Sequence, residues 1–80
     1  MNNEIPKAVI KEAQNLIDIY GQNLYFLGEC DGSDFYLFQF PDDSLTGFPF
    51  IYIYDRNNDD AMCITGYDAL DIISEFKNRL

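Results

Sequence analysis

The sequence predicts an α+β domain: a two-layer sandwich of order α-β-β-β-β-α, with a four-stranded antiparallel meander and the N- and C-terminal helices on one face. Three observations predict it. Apolar residues recur at helical spacing near both ends of the chain. The middle consists of short aromatic and β-branched runs with the length and composition of strands. Turn-forming residues separate those runs at short intervals, so successive strands pair antiparallel. The 80 residues read as a single α+β domain, 1–80.

The first helix is predicted from about Pro6 to Tyr20. Pro6 suits a first helical turn, where its missing N–H costs nothing. Val9, Ile10, Ala13, Leu16, Ile17 and Tyr20 form its apolar stripe, and Gly21 marks its end. Leu24 to Cys30 reads as the first strand. Asp31-Gly32-Ser33-Asp34 is a tight-turn signal, and Phe35 to Phe40 returns as the second strand. Pro41 to Gly47 reads as the longest loop. Phe48 to Tyr54 is the third strand, with Pro49 suggesting an edge or strand-end position. A polar turn, Asp55 to Asp60, leads to a short fourth strand, Ala61 to Thr65. The last helix runs from about Tyr67 to Leu80. Thr65-Gly66-Tyr67-Asp68 matches a helix-opening signal, and Lys77 and Arg79 suit the last turn.

Alternation along the strands assigns side chains to two faces. Leu24, Phe26, Leu37, Ile51, Ile53 and Ile64 are expected to face the helices. Tyr25, Tyr36, Phe38, Phe50, Tyr52 and Tyr54 then form the second face. An antiparallel sheet with a wet outer face shows polar residues at every second position, and this one does not. Two helices on one side can cover only one face. The second face is therefore expected to be covered by a second copy, by a partner protein, or by the Pro41–Gly47 loop and the termini.

Composition narrows the function classes. Fourteen acidic residues against five basic give a net charge of −9, which opposes direct binding to nucleic acid or an anionic membrane. No stretch of apolar residues is long enough to span a bilayer, and no secretory signal is evident, so the expected location is cytoplasmic. Cys30 and Cys63 then read as reduced, buried small hydrophobes. Histidine is absent, which removes the commonest general base and metal ligand. The serines lack a nucleophile context, and no glycine-rich phosphate cradle occurs. Asp42-Asp43 and Asp59-Asp60 pair carboxylates, but in turns where water solvates them. Asp55-x-Asn57-x-Asp59 has the alternate oxygens of a calcium loop. Asp60 and Gly66 then stand where that loop needs glycine and glutamate. No catalytic residue, metal ligand or cofactor is expected.

The stretch from Phe48 to Phe76 resembles the closing part of the SUKH superfamily. The resemblance rests on Ile51-Tyr52-Ile53-Tyr54-Asp55, a polar turn, a short strand, and a terminal helix carrying Ile73, Ser74, Glu75 and Phe76. Members are small α+β proteins that include cell-wall-synthesis regulators and immunity proteins against secreted toxins. The resemblance implies a non-enzymatic protein that binds a toxin through an acidic or aromatic surface. It covers less than half of the chain and carries over no individual residue. The expected function is thus a protein-binding module, homodimeric or inhibitor-like, using the aromatic face. An acidic mimic of nucleic acid is the alternative, and a small enzyme is a third class that lacks a visible base.

Overall fold

The computed structural model describes residues 5–40 and 49–78. Two N-terminal helices, α1 (Lys7–Glu12) and α2 (Gln14–Tyr20), precede the strands β1 (Leu24–Cys30), β2 (Ser33–Phe38), β3 (Phe50–Asp55) and β4 (Asp60–Thr65). Helix α3 (Tyr67–Asn78) closes the order. The strands form one antiparallel sheet in the order β1-β2-β3-β4. The sheet, flanked by an N-terminal helical region and a C-terminal helix, is an α+β fold.

The single N-terminal helix expected from the sequence is broken at Ala13, whose φ of −94° and ψ of 8° leave the helical range. Backbone bonds bridge the break: Ala13 N–H donates to Val9 O, and Ile17 N–H to Ala13 O, each at 2.9 Å. No proline or glycine marks the position. The first hairpin turns on Asp31-Gly32, with φ of 53° and 81°. Those values are left-handed at both central residues, as the twist of a two-residue hairpin requires. β3 is central rather than an edge, and Pro49 precedes its first paired residue, so no ladder bond is lost. Thr65 was expected to open the last helix. Its hydroxyl instead donates to Pro49 O at 3.0 Å and ties β4 to the start of β3.

The helices do not share a face, and the reason begins in β1. The β1–β2 register slips between Phe26 and Gly28, so Leu27 is an extra residue in a bulge. Leu24 and Phe26 therefore pair with Phe38 and Tyr36, while Gly28 pairs with Phe35. The slip moves Leu24 and Phe26 to the face of Tyr36 and Phe38, and Tyr25 to the face of Leu37. Val9 and Ala13 bury themselves on the first of these faces, in one cluster with Leu24, Tyr36, Phe38 and Tyr52. Tyr20, at the end of α2, stacks edge-on against Phe38 and Phe40 with ring centroids 6.4 and 5.2 Å away. On the other face, Phe76 of α3 packs on Phe35 with centroids 5.1 Å apart. Ile51 on that face and Ala69 on α3 are both fully buried. The arrangement is helix, sheet, helix in three layers, in place of the expected two. A sheet with two apolar faces must cover both, and one helical region per face does so.

Phe76 of α3 sits directly over Gly28. Its φ is +157°, and a Cβ there would lie 2.7 Å from Cε1 of Phe76. Only glycine gives both the bulge and the room for that ring. Gly28→Ala is expected to cost about 1–3 kcal/mol, the range for overpacking. In a Phe76→Leu background the same change should cost less. Equal costs in the two backgrounds, measured by urea unfolding, would show that Phe76 does not press on this position.

Candidate functional site

The structure disperses the predicted aromatic surface. Tyr36, Phe38 and Tyr52 are 7%, 1% and 2% exposed and belong to the core beneath α1. Phe50 and Tyr54 are half-buried and pack against that core. Tyr25 is 53% exposed but lies on the opposite face, carried there by the bulge in β1. The six residues thus do not form a docking surface. The chain's own N-terminal helices cover the face that the sequence leaves open to a loop or a partner. The Pro41–Gly47 loop lies outside the described residues. The large apolar side chains left exposed are scattered: Ile19 on α2, Tyr25 and Phe26 on β1, Met62 on β4, Tyr67 and Leu70 on α3.

A different site assembles at one end of the sheet. Antiparallel pairing sets Ser33 beside both Cys30 and Asp55, and Asp55 beside Asp60. The β1–β2 turn and the β3–β4 turn therefore project from the same end. They bring together Glu29, Asp31, Asp34, Asp55, Asp59 and Asp60, with Arg56 among them. Sequence spacing hides this gathering, because the acidic residues belong to two turns more than twenty positions apart.

Arg56 is already engaged. Its Nε donates to Asp34 Oδ2 at 3.1 Å and its Nη2 to Oδ1 at 2.6 Å, while Nη1 lies 3.2 Å from Glu29 Oε2. The two-pronged bond matches guanidinium to carboxylate. Asp34 is only 9% exposed, so its charge needs that partner. Bonding to Asp34 and the Glu29 charge hold the Arg56 guanidinium protonated well above its ordinary range. One cation thus pins the β3–β4 turn onto β1 and β2.

The other carboxylates shape the turn. Asp55 Oδ1 accepts the Asn57 N–H at 3.0 Å and Oδ2 accepts from Asn58 Nδ2 at 2.6 Å. Asp59 takes a left-handed φ of 50° and accepts the Tyr54 hydroxyl at 2.6 Å. The first is a turn-closing bond of the kind Asp makes with nearby backbone, and the other two tie side chains across the turn. Both Asp55 oxygens and one of Asp59, two of the three residues that suggested a calcium loop, take part in these bonds. Among the described residues no group of three or more Cys, Asp or Glu could hold a metal ion.

Two clefts flank this end. One, of 220 Å³, lies on the α3 face and is lined by Ser33, Ile53, Asp55, Asp60, Ala61 and Met62. The other, of 400 Å³, lies between α1 and the β3–β4 turn, where Lys11 and Glu12 meet Asp59, Asp60 and Ala61. Neither Cys30 nor Cys63 forms a disulfide. Cys63 is exposed as a residue, but its sulfur is partly withdrawn from water against the Tyr52 hydroxyl. Burial pushes its thiol up, away from the reactive thiolate. Burial and the neighbouring Cys63 likewise push the Tyr52 phenol well above its ordinary 10.0. Burial, then the Asp34 charge, raises Tyr36.

No helix among the described residues is long and apolar enough to cross a membrane. No family model, curated protein or solved structure matches the chain.

Two outcomes follow for stability. Tyr36 and Tyr52 hold their protons more tightly folded than unfolded, so their contribution is complete below pH 10 and is lost as pH rises through their raised folded values. Unfolding free energy should fall with pH above about 10, and Tyr52→Phe should flatten that slope. A slope unchanged by Tyr52→Phe would remove Tyr52 from the alkaline transition. Arg56→Met strands the buried Asp34 charge and should lower the melting temperature by roughly 4–8 °C. Adding Asp34→Asn should recover part of the loss. A simple sum of two losses in that double variant would mean the pair is not coupled.

Proposed function

We propose that this chain is a non-enzymatic protein-binding module that engages a basic surface through the acidic end of its sheet. The observation that carries the reading is the imbalance of charge there. Arg56 is consumed by Asp34 and Glu29, and the carboxylates of Asp31, Asp55, Asp59 and Asp60 stand in exposed or half-exposed turn positions. Their field draws a basic partner and speeds encounter with it. The bonds that tie the turns together support the same reading, because a pinned surface loses less entropy on binding. An inhibitor that caps a basic cleft would have this character. The chain's net charge of −9 argues against nucleic acid as the ligand.

The same gathering of carboxylates also favours a second reading, an acidic mimic that occupies a nucleic-acid cleft. Salt separates the two. A mimic that relies on charge alone loses affinity steeply with ionic strength. A protein interface that adds apolar contacts, such as the exposed Met62, retains part of it.

The test is a displayed random-peptide library sorted on the immobilised protein at low and high salt. Wild-type protein should enrich sequences rich in Lys and Arg, some of which survive the high-salt wash. The variant carrying Asp31→Asn, Asp59→Asn and Asp60→Asn together should lose that enrichment while keeping the fold. Enrichment of neutral or acidic peptides, or equal enrichment by wild type and variant, would overturn the proposal. Complete loss in high salt would favour the mimic.

A further inference from the structure

Strand β4 is an edge of the sheet, and beyond its first residue, Asp60, nothing in its sequence blunts that edge. Among the described residues no strand pairs with its outer side. It keeps regular register with β3 over its whole length, without a bulge. It contains no proline, lysine or arginine, and its one charged residue, Asp60, stands at its start. The other edge, β1, is broken by the bulge before Gly28. Of the two edges, β4 is the one that is regular and unpaired among the described residues.

The two clefts lie on either side of the beginning of this strand. Asp60 and Ala61 line both and form the wall between them. Asp55, Asp60 and Met62 share the α3 face through their register positions, whereas Ala61 belongs to the α1 face. A strand added beside β4 would send successive side chains to opposite faces. One of two neighbouring residues would therefore enter each cleft.

We propose that β4 takes up an extended segment of a basic partner protein as a fifth strand, with two successive Lys or Arg side chains entering the clefts on either side of Asp60. The inference rests on the basic-partner reading and names where and how the partner is held. Backbone bonds to β4 supply affinity and the clefts supply selectivity, as in other strand-addition complexes. In the α3-face cleft, the aliphatic stem of a basic residue lies along Met62 and Ile53 while its charge meets Asp55 and Asp60. In the α1-face cleft, Glu12, Asp59 and Asp60 outnumber Lys11. Charge complementarity selects this occupant over a second copy of the chain. Two copies each at −9 repel each other.

The experiment uses the intact, isotope-labelled protein and a capped peptide, Thr-Val-Lys-Arg-Val-Thr, followed by amide chemical shifts. The expected result is saturable binding with shifts concentrated from Asp60 to Thr65 and slowed hydrogen exchange at β4 amides. N-methylation of alternate peptide nitrogens should weaken binding at least about tenfold, because methylation removes the ladder donors while leaving both charges. Replacing the Lys-Arg pair by Glu-Glu should abolish it. Met62→Lys, a change on the exposed edge that leaves the core alone, should weaken it by a similar factor. Shifts confined to Glu29, Asp31 and the 56–59 turn, unaffected by N-methylation, would overturn strand addition while leaving the basic-partner reading standing. Absence of binding by this peptide together with failure of the library to enrich basic sequences would overturn both.

Discussion

The sheet has no polar face, and the rest of the structure follows from covering it twice. Tyr36, Phe38 and Tyr52 on one side and Phe35, Ile51 and Ile53 on the other must all leave water. Val9 and Ala13, small and fully buried, let the N-terminal segment sit directly on the rings of the first face. Phe76 and Ala69 do the same from α3 on the second. The bulge in β1 belongs to this solution. By inserting Leu27 it turns Leu24 toward the N-terminal helices and leaves Gly28 free under Phe76. Core, edge geometry and helix placement are thus one problem with one answer.

Much of this is legible in the sequence. The strand runs, the Asp31-Gly32 turn, the Gly21 stop and the start of α3 at Tyr67 can be placed from residue chemistry alone, because each depends on neighbours along the chain. The surplus of apolar surface is also legible. The identity of its cover is not. Alternation through β1 assumes an unbroken register, and a single inserted residue reverses the faces beyond it. Gly28 is the one sign of that insertion, and a strand glycine has several meanings. The break at Ala13 leaves no mark at all.

The acidic end was hidden for a related reason. Asp34 reads as a turn-tip residue, and Arg56 as a solvated charge in a polar loop. Only pairing of β1, β2 and β3 in register brings the two within hydrogen-bond reach. Once there, Arg56 is spent on structure, and the surrounding carboxylates are left uncompensated. The feature that orders the two turns is the same one that leaves their surface negative. Removing Asp34 and Arg56 together would take away one charge of each sign and would therefore change order more than field.

The placement of the two helical covers on opposite faces has a consequence for how the molecule opens. Each cover contacts its own side of the sheet, with the four strands between them. Detachment of α3 would expose the Phe35 face while the aromatic core under α1 stayed closed. Detachment of the N-terminal segment would do the reverse. Each face of the sheet thus depends on a different helical element for its cover. Loss of either cover would leave a half-covered sheet with the outer side of β4 still unpaired among the described residues.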